Sequence, residues 1–258
     1  MQTHLMMAAW EEQTAFDAKA EKELLELANR ARAKAGVNPL RTDEGLVRAA
    51  REHAVVMAER RELSHQFDGE PGLAKRLAAK SSLYLVEEAE NVASAESADR
   101  AHDGLMHSVH HRENLLHPSY NVVGIGVVRR GDTLYVVQDF GGSYEKFSAN
   151  ESDTQIAESI ERGRTQSRQF KLERREMSAA DREACSMGAA DSIKVSQSPL
   201  VAQAKRIVRY TTPQPSALPD AMSKVIADNT LRAYTVGACF SRSKSYPNGI
   251  YWVVLVFY

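Results

Sequence analysis

The hydrophobic period of this chain changes near residue 120, and that change limits the folds open to it. Four earlier segments place apolar residues at helical spacing: 20–36, 43–60, 73–79 and a stretch that begins at Ser97, a good N-cap residue. Residues 122–128 and 134–140 are instead rich in β-branched and aromatic side chains, and Arg130-Gly131-Asp132 between them favours a tight turn. Helices followed by a β-hairpin predict an α+β fold rather than alternating βαβ units.

The second half of the chain repeats features of the first half. Arg32 and Leu40 recur as Arg164 and Leu172, 132 positions later. Further pairs follow in the same order: Ala50, Ala54 and Met57 with Ala180, Ala184 and Met187; Gly124 with Gly237; and residues 135–137 with 251–253. We interpret the pattern as a diverged and shortened second copy. The alternative is two unrelated helix-plus-hairpin segments that share common residues by chance.

These patterns predict a division of the chain into four parts. Residues 1–19 form an N-terminal extension, and 20–142 form the first domain. A polar segment, 143–154, then reads as a linker, and 155–258 form a degenerate second domain.

Charge and composition exclude several classes of protein. The chain has 33 Lys and Arg against 34 Asp and Glu, so no global positive field attracts nucleic acid. No apolar run approaches the roughly 18 residues of a membrane helix, and the first ten residues show no signal peptide. Cys185 and Cys239 are one pair, which predicts either a disulfide in an oxidising compartment or two buried free thiols.

Imidazole chemistry, where it exists, belongs to the first half of the chain. All eight histidines lie at or before residue 117. His65, Glu90 and His111 are the strongest candidates, because two imidazoles and a carboxylate can hold a divalent metal or perform acid–base work. His107 and His111 are four residues apart, but Ser108 stands where the metalloprotease motif requires Glu.

Each candidate also has a structural interpretation. His65 can be a half-exposed loop histidine, and His111 can cap or pack the helix that it opens. Glu90, which we expect in a loop between helices, can fix that loop or orient an imidazole as well as bind a metal. His53 lies on an apolar helix face and is expected to be a hydrogen-bonded core residue.

Residues 20–142 resemble the bacterial, SCP-like extracellular branch of the CAP superfamily, which groups cysteine-rich secretory, antigen 5 and pathogenesis-related proteins. The resemblance rests on ordered blocks: Ala28-Asn29-Arg30-Ala31-Arg32 with Gly36 and Pro39-Leu40; Leu63-Ser64-His65; Ala89-Glu90-Asn91-Val92-Ala93; Ser108 with His111-Arg112 and Asn114-Leu115-Leu116; Gly124-Ile125-Gly126-Val127; and Gln138-Asp139-Phe140-Gly141. It implies an α-β-α sandwich and an extracellular or cell-envelope location.

The resemblance also implies a central cleft lined by two His and two Glu. Three of these carry over as His65, Glu90 and His111. The fourth is missing, since Leu105 stands where the family usually has Trp and Ser108 falls near the acidic position. The Pro-Gly pair that usually precedes the second His is replaced by Val109-His110.

The favoured function is a non-catalytic secreted or cell-surface protein whose cleft binds a divalent metal, zinc first, or a small ligand or cell-envelope component. The cleft residues are His65, Glu90, Asn91, Ser108 and His111, with His65, His111 and Glu90 as metal ligands. No catalytic residue is assigned. The alternatives are a metal-dependent protease or esterase that uses the same cleft, a lipid- or sterol-binding protein, and a structural module in which the two copies pair.

Overall fold

A computed structural model describes residues 15–258 and divides them between Tyr144 and Glu145 into two compact units. Of the predicted N-terminal extension, residues 1–14 lie outside the described part. The extension is shorter than predicted, because the first helix begins at Ala18, where the Asp17 carboxylate accepts from the Ala20 N–H at 3.0 Å.

The first unit contains five helices and five strands among its described residues. In chain order they are β1 (Ala15–Phe16), α1 (Ala18–Lys34), β2 (Arg41–Thr42), α2 (Glu44–Arg60), α3 (Leu73–Lys80), β3 (Tyr84–Ala95), α4 (Ala98–His107), α5 (Val109–Leu115), β4 (Val122–Arg130) and β5 (Thr133–Tyr144). The predicted helices and hairpin are all present. Ser97 caps α4 as predicted, accepting from the Arg100 N–H at 3.3 Å.

The strands form one sheet in the order β1-β4-β5-β3, with β2 parallel to β4. One hydrophobic cluster joins the sheet to α1 and α4 through side chains such as Leu24, Leu105 and Phe140. A second joins it to α2 through Met57 and Val137. Helices therefore cover both faces, and the predicted α+β, α-β-α sandwich is confirmed.

The prediction that Glu90 lies in a loop between helices is wrong. Glu90 lies inside β3, a twelve-residue strand paired antiparallel with β5. Residues 87–91 are Glu-Glu-Ala-Glu-Asn, types that are depleted in strands, so local preference does not indicate one. Long-range pairing with β5 decides the conformation instead.

The second unit repeats the order helix, two-residue strand, helix, strand and hairpin. Its elements are α6 (Ala149–Gln166), β6 (Glu173–Arg174), α7 (Ser178–Ala190), a short 3₁₀ turn (Val201–Gln203), β7 (Arg206–Thr212), α8 (Met222–Ile226), β8 (Ala233–Ser241) and β9 (Ile250–Phe257). The sheet order is β6-β8-β9-β7, with β6 parallel to β8.

Much of the predicted linker, 143–154, is regular structure. Strand β5 continues to Tyr144, and α6 begins at Ala149, which leaves 145–148 between them. Ser148 and Glu151 form a capping box, in which each side chain binds the other residue's backbone N–H. Polar capping residues at a helix start resemble a linker in composition, which explains the error.

Two buried arginines support the interpretation of the second unit as a diverged copy. Arg32 donates from Nε to the carbonyl six residues later, Asn38, and Arg164 does the same to Phe170, at 2.7 and 3.0 Å. Both guanidinium groups also bind carbonyls at the end of a later helix of the same unit or just beyond it. Such buried charges are tolerated because every contact is a hydrogen bond.

The structure changes which hairpin residues of the two units correspond to each other, compared with the pairs noted in the sequence. A Cβ on Gly126 would lie 2.4 Å from the Ala50 carbonyl carbon, and a Cβ on Gly237 would lie 2.3 Å from that of Ala180. Gly124 is also packed against α2, but at Leu46. Because Ala50 pairs with Ala180 in the sequence comparison, Gly237 corresponds to Gly126 and not to Gly124. The strand partners of the two glycines are Val137 and Val254, so the hairpin pairing also moves by one residue.

The two cysteines form a disulfide that joins α7 to β8 across 54 residues of sequence. Closing a loop of that length restricts the unfolded chain, and we expect the bond to stabilise the second unit by about 4 kcal/mol.

Cys185→Ser/Cys239→Ser should lower the urea midpoint when unfolding is followed by Trp252 fluorescence in a Trp10→Phe background. Dithiothreitol should produce the same shift in the parent chain, and equal midpoints with and without the bond would contradict the expectation.

Two carboxylates in the second unit predict a dependence of its stability on pH. Asp153 and Asp181 both accept from the Ala238 N–H, and each keeps one buried oxygen without a hydrogen-bond partner. Burial, reinforced by Asp181 and opposed by Arg174, raises the pKa of Asp153 to about 7 from 3.8. The folded state thus holds a proton that the unfolded state releases, so the free energy of unfolding falls as pH rises between these values and levels off above them.

Asp153→Asn should remove most of that decline, because an amide has no proton to lose. The Tm of the second unit, followed at Trp252, should fall from pH 5 to pH 7.5 more steeply in the parent chain than in the variant. Asp220→Asn changes an exposed carboxylate and serves as the control. Parallel Tm profiles for the parent chain and Asp153→Asn would show that the pair does not couple to folding.

Candidate functional site

The His65 imidazole is held at the surface of the first unit by a buried carboxylate. His65 lies in the loop between α2 and α3, and its side chain is 61% exposed. Its Nδ1 is 2.9 Å from Oε1 of Glu90, whose side chain is only 3% exposed. One ring nitrogen is therefore fixed against the protein, while much of the ring remains accessible to solvent.

The Arg76 guanidinium on α3 holds the other side of this contact. Its Nη2 forms a short ion pair with Oε2 of Glu90, and its Nη1 donates to the His65 carbonyl at 3.0 Å. Arg76 is 8% exposed, so this ion pair is shielded from solvent. The sequence analysis missed Arg76, and nothing in the sequence distinguishes it from Lys75 beside it.

His53 and Glu70 fix the loop that carries His65. His53 is fully buried on α2, as expected of a core histidine. Its Nδ1 is 2.7 Å from Oε1 of Glu70, and its Nε2 is 2.8 Å from the Ser64 carbonyl. Glu70 also accepts from the Phe67 N–H at 3.1 Å. The residues on both sides of His65 are thus tied to α2.

A second carboxyl group lies directly across the sheet from Glu90. Asp139 on β5 is its strand partner and is completely buried, and its carboxyl group lies within hydrogen-bonding reach of the Glu90 carboxyl group. Burial, and then the negative charge of Glu90, raise the pKa of Asp139 well above its usual range, although Arg76 opposes them. Of the two carboxyl groups, Glu90 is the one paired with Arg76, and Asp139 is the one whose neutral form is favoured by burial.

The His111 imidazole approaches from α5, whose position is set by a chain of amides. Asn91 donates to the His111 carbonyl at 3.1 Å and to Oε1 of Gln138 at 3.3 Å, and it accepts from Asn114 at 3.0 Å. Burial, followed by the charge of His65, lowers the pKa of His111, which favours the neutral ring at pH 7.

Asn91 and Ser108, which are also predicted to line the cleft, lie in and beside the segments that support His111. Asn91 is fully buried, because its side chain projects from the face of β3 opposite to that of Glu90, towards α5. Ser108 connects α4 to α5, where its backbone bonds to Gly104 and Arg112 and its side chain makes no capping bond. Both residues position the segment that carries His111, and direct contact with a ligand stays a prediction.

A metal site can be judged from the donors that the structure offers. Among residues 15–258, no three His, Cys, Asp or Glu side chains converge as a metal would require. Both Glu90 oxygens are engaged, one by His65 and one by Arg76. The His65 and His111 imidazoles stay the predicted donors, and Glu90 lies where a carboxylate could orient His65.

A separate groove lies between α1 and α4. It has a volume of about 760 Å³ and an apolar lining that includes Leu27, Ala31, Met106 and Leu116. Arg30, Lys34 and Arg100 contribute positive charge, and Asp99, Asp103 and His102 complete the polar lining.

Within the described residues, no helix is both long enough and apolar enough to cross a membrane.

Known proteins resemble the first unit most clearly. YkwD of Bacillus subtilis (strain 168), an uncharacterized protein, is 30% identical over 112 residues, which are 43% of this chain and 43% of YkwD. The chain thus spans less than half of that relative. The structure of an outer surface protein from Borrelia burgdorferi matches 52% of this chain and 99% of its own, with 22% identity and a TM-score of 0.48.

The crystal structure of Na-ASP-1 matches 92% of this chain and 88% of its own, with 8% identity and a TM-score of 0.51. At that identity the likeness shows the fold alone. The model of CAP, the cysteine-rich secretory protein family, matches residues 25–140, which contain the α1–β5 sandwich with His65, Glu90 and His111. Residues 25–140 of this chain are therefore a CAP domain of the cysteine-rich secretory protein family.

Proposed function

We propose that the cleft of the CAP domain binds a divalent cation, zinc first, through His65 and His111, in a non-catalytic role. The observation that carries the proposal is the buried Glu90 behind the exposed His65 ring. A histidine that binds a metal through one nitrogen usually gives its other N–H to a carboxylate or a carbonyl, and Glu90 occupies that place. The lowered pKa of His111 supports the proposal, because only a neutral imidazole can be a ligand.

Two protein ligands favour a binding site of modest affinity. Structural zinc sites use four protein ligands and catalytic sites usually three. The remaining positions on the cation would be open to water or to a group from a partner, which fits a small ligand or a cell-envelope component captured through the metal.

Calorimetric titration with Zn²⁺ tests the proposal. Binding by the full chain should be lost in His65→Ala and in His111→Ala, since each removes one of two ligands. Glu90→Gln should weaken it by about 10- to 100-fold through loss of the orienting carboxylate. His110→Ala is the matched control, because His110 adjoins His111 on α5 and its side chain is 93% exposed.

Unchanged binding in both His65→Ala and His111→Ala would remove the proposal. Chelator-sensitive turnover of ester or peptide substrates that disappears in His65→Ala would instead favour the metal-dependent hydrolase.

The groove between α1 and α4 favours a second candidate function, the binding of a lipid or another amphipathic ligand. Its apolar lining suits a hydrocarbon chain, and Arg30, Lys34 and Arg100 suit an anionic headgroup. A sterol would use the same lining without the charges.

Filling the groove tests this second function. Ala31→Trp places a large ring in the groove and should weaken binding of a fluorescent long-chain fatty acid by about tenfold or more, ~1.4 kcal/mol. Ala33→Trp lies on the exposed face of the same helix, outside the groove lining, and should bind as the parent chain does. Equal affinities for the two variants would exclude the groove as the binding site.

We also propose that the chain works outside the cell or at the cell envelope. The disulfide supports this location, because such bonds persist in oxidising compartments and Cys185 is exposed to reductants. The proposal depends on the bond's contribution to stability, since a chain equally stable after reduction would gain nothing from an oxidising compartment.

A further inference from the structure

Arg76 contacts both parts of the arrangement that fixes His65. Its Nη1 binds the His65 backbone carbonyl at 3.0 Å, and its Nη2 pairs with the Glu90 carboxylate that faces the His65 ring. A second contact from Nη1 reaches the Pro71 carbonyl at 3.4 Å. One planar guanidinium thus holds the main chain of the histidine and the acceptor for its side chain at a fixed separation.

The Glu90 carboxylate dictates which nitrogen of a neutral His65 carries the proton. An ionised carboxylate can only accept, so Nδ1 must be the N–H donor across the 2.9 Å contact. The lone pair of the neutral ring then lies on Nε2, the nitrogen away from Glu90. In water a neutral histidine prefers the opposite arrangement, with the proton on Nε2, so the protein selects the less common tautomer.

We propose that Arg76 is a positioning residue that sets the tautomer of His65 and thereby presents the unprotonated Nε2 to the cleft. The role rests on the proposed function, in which Nε2 is a metal ligand. Without the guanidinium, Glu90 loses its ion-pair partner and the His65 carbonyl loses its donor, so the carboxylate and the imidazole are no longer held together. His65 then reverts towards the tautomer preferred in water.

The tautomer can be measured without any metal. Two-bond ¹H–¹⁵N correlation spectra of the ¹⁵N-labelled full chain, recorded at pH 8 with chelator, report which ring nitrogen is protonated, and the signals missing from His65→Gln assign His65. In the parent chain His65 should be Nδ1-protonated. In Arg76→Gln its two nitrogen shifts should move towards the Nε2-protonated form, and zinc affinity should fall by about tenfold.

Arg48→Gln is the matched control, because Arg48 also ties α3 to its surroundings, through the Lys80 carbonyl at 2.9 Å, without contacting Glu90 or His65. That variant should keep the parent tautomer. An Nε2-protonated His65 in the parent chain would overturn the proposal, and so would an unchanged tautomer in a folded Arg76→Gln.

Arg76→Lys carries the test if Arg76→Gln does not fold. A lysine ammonium keeps the positive charge but cannot reproduce the two-pronged contacts of the guanidinium group. The ¹⁵N chemical shifts of the His65 ring should therefore move part of the way towards those of the Nε2-protonated form. Unchanged chemical shifts would equally overturn the role of Arg76. Failure of zinc to bind would contradict the proposed function without affecting the tautomer. If His65 stays Nδ1-protonated in Arg76→Gln, the role of Arg76 is contradicted, and the proposal that the cleft binds zinc still stands.

Discussion

The antiparallel pairing of β3 with β5 is the constraint on which the site depends. It places Glu90 opposite Asp139 and Asn91 opposite Gln138. Because neighbouring residues of a strand face opposite sides of the sheet, this register sends the carboxyl pair towards α2 and α3 and the amides towards α5. A slip of one residue would exchange the two sets and separate His65 and His111 from their supports.

The charges gathered under His65 are expensive to bury. Glu90 is paired with Arg76 and hydrogen-bonded to His65, and burial raises the pKa of Asp139, which favours its neutral form. Replacing buried ion pairs by apolar residues is often neutral or stabilising, so stability alone gives little reason to keep such a cluster. A cluster that positions an exposed histidine for binding does give a reason, and this links the packing to the proposed function.

The second unit has apolar residues where the first unit has its buried carboxyl pair. With Gly237 matched to Gly126, the positions of Glu90 and Asp139 correspond to Ile207 and Val256, which are strand partners in its hydrophobic cluster. The position of the buried His53 corresponds to Glu183, which pairs with Arg209 at 2.6 Å. Together with the disulfide, these differences describe a unit that retains the sandwich elements without the imidazole site.

The sequence by itself determined the helices and the hairpin, it confined histidine chemistry to the first unit, and it predicted His65, Glu90 and His111 as site residues. These follow from local periodicity and from motifs that are contiguous in the chain. Only the tertiary structure showed that residues 84–95 are a strand, because their composition opposes it and only pairing with β5 imposes it. Glu70 in the α2–α3 loop, Arg76 on α3 and Asp139 on β5 likewise join the site through contacts that leave no local pattern in the sequence. The contacts of Glu90 were decided in the same way, because His65 occupies one of its oxygens and Arg76 the other.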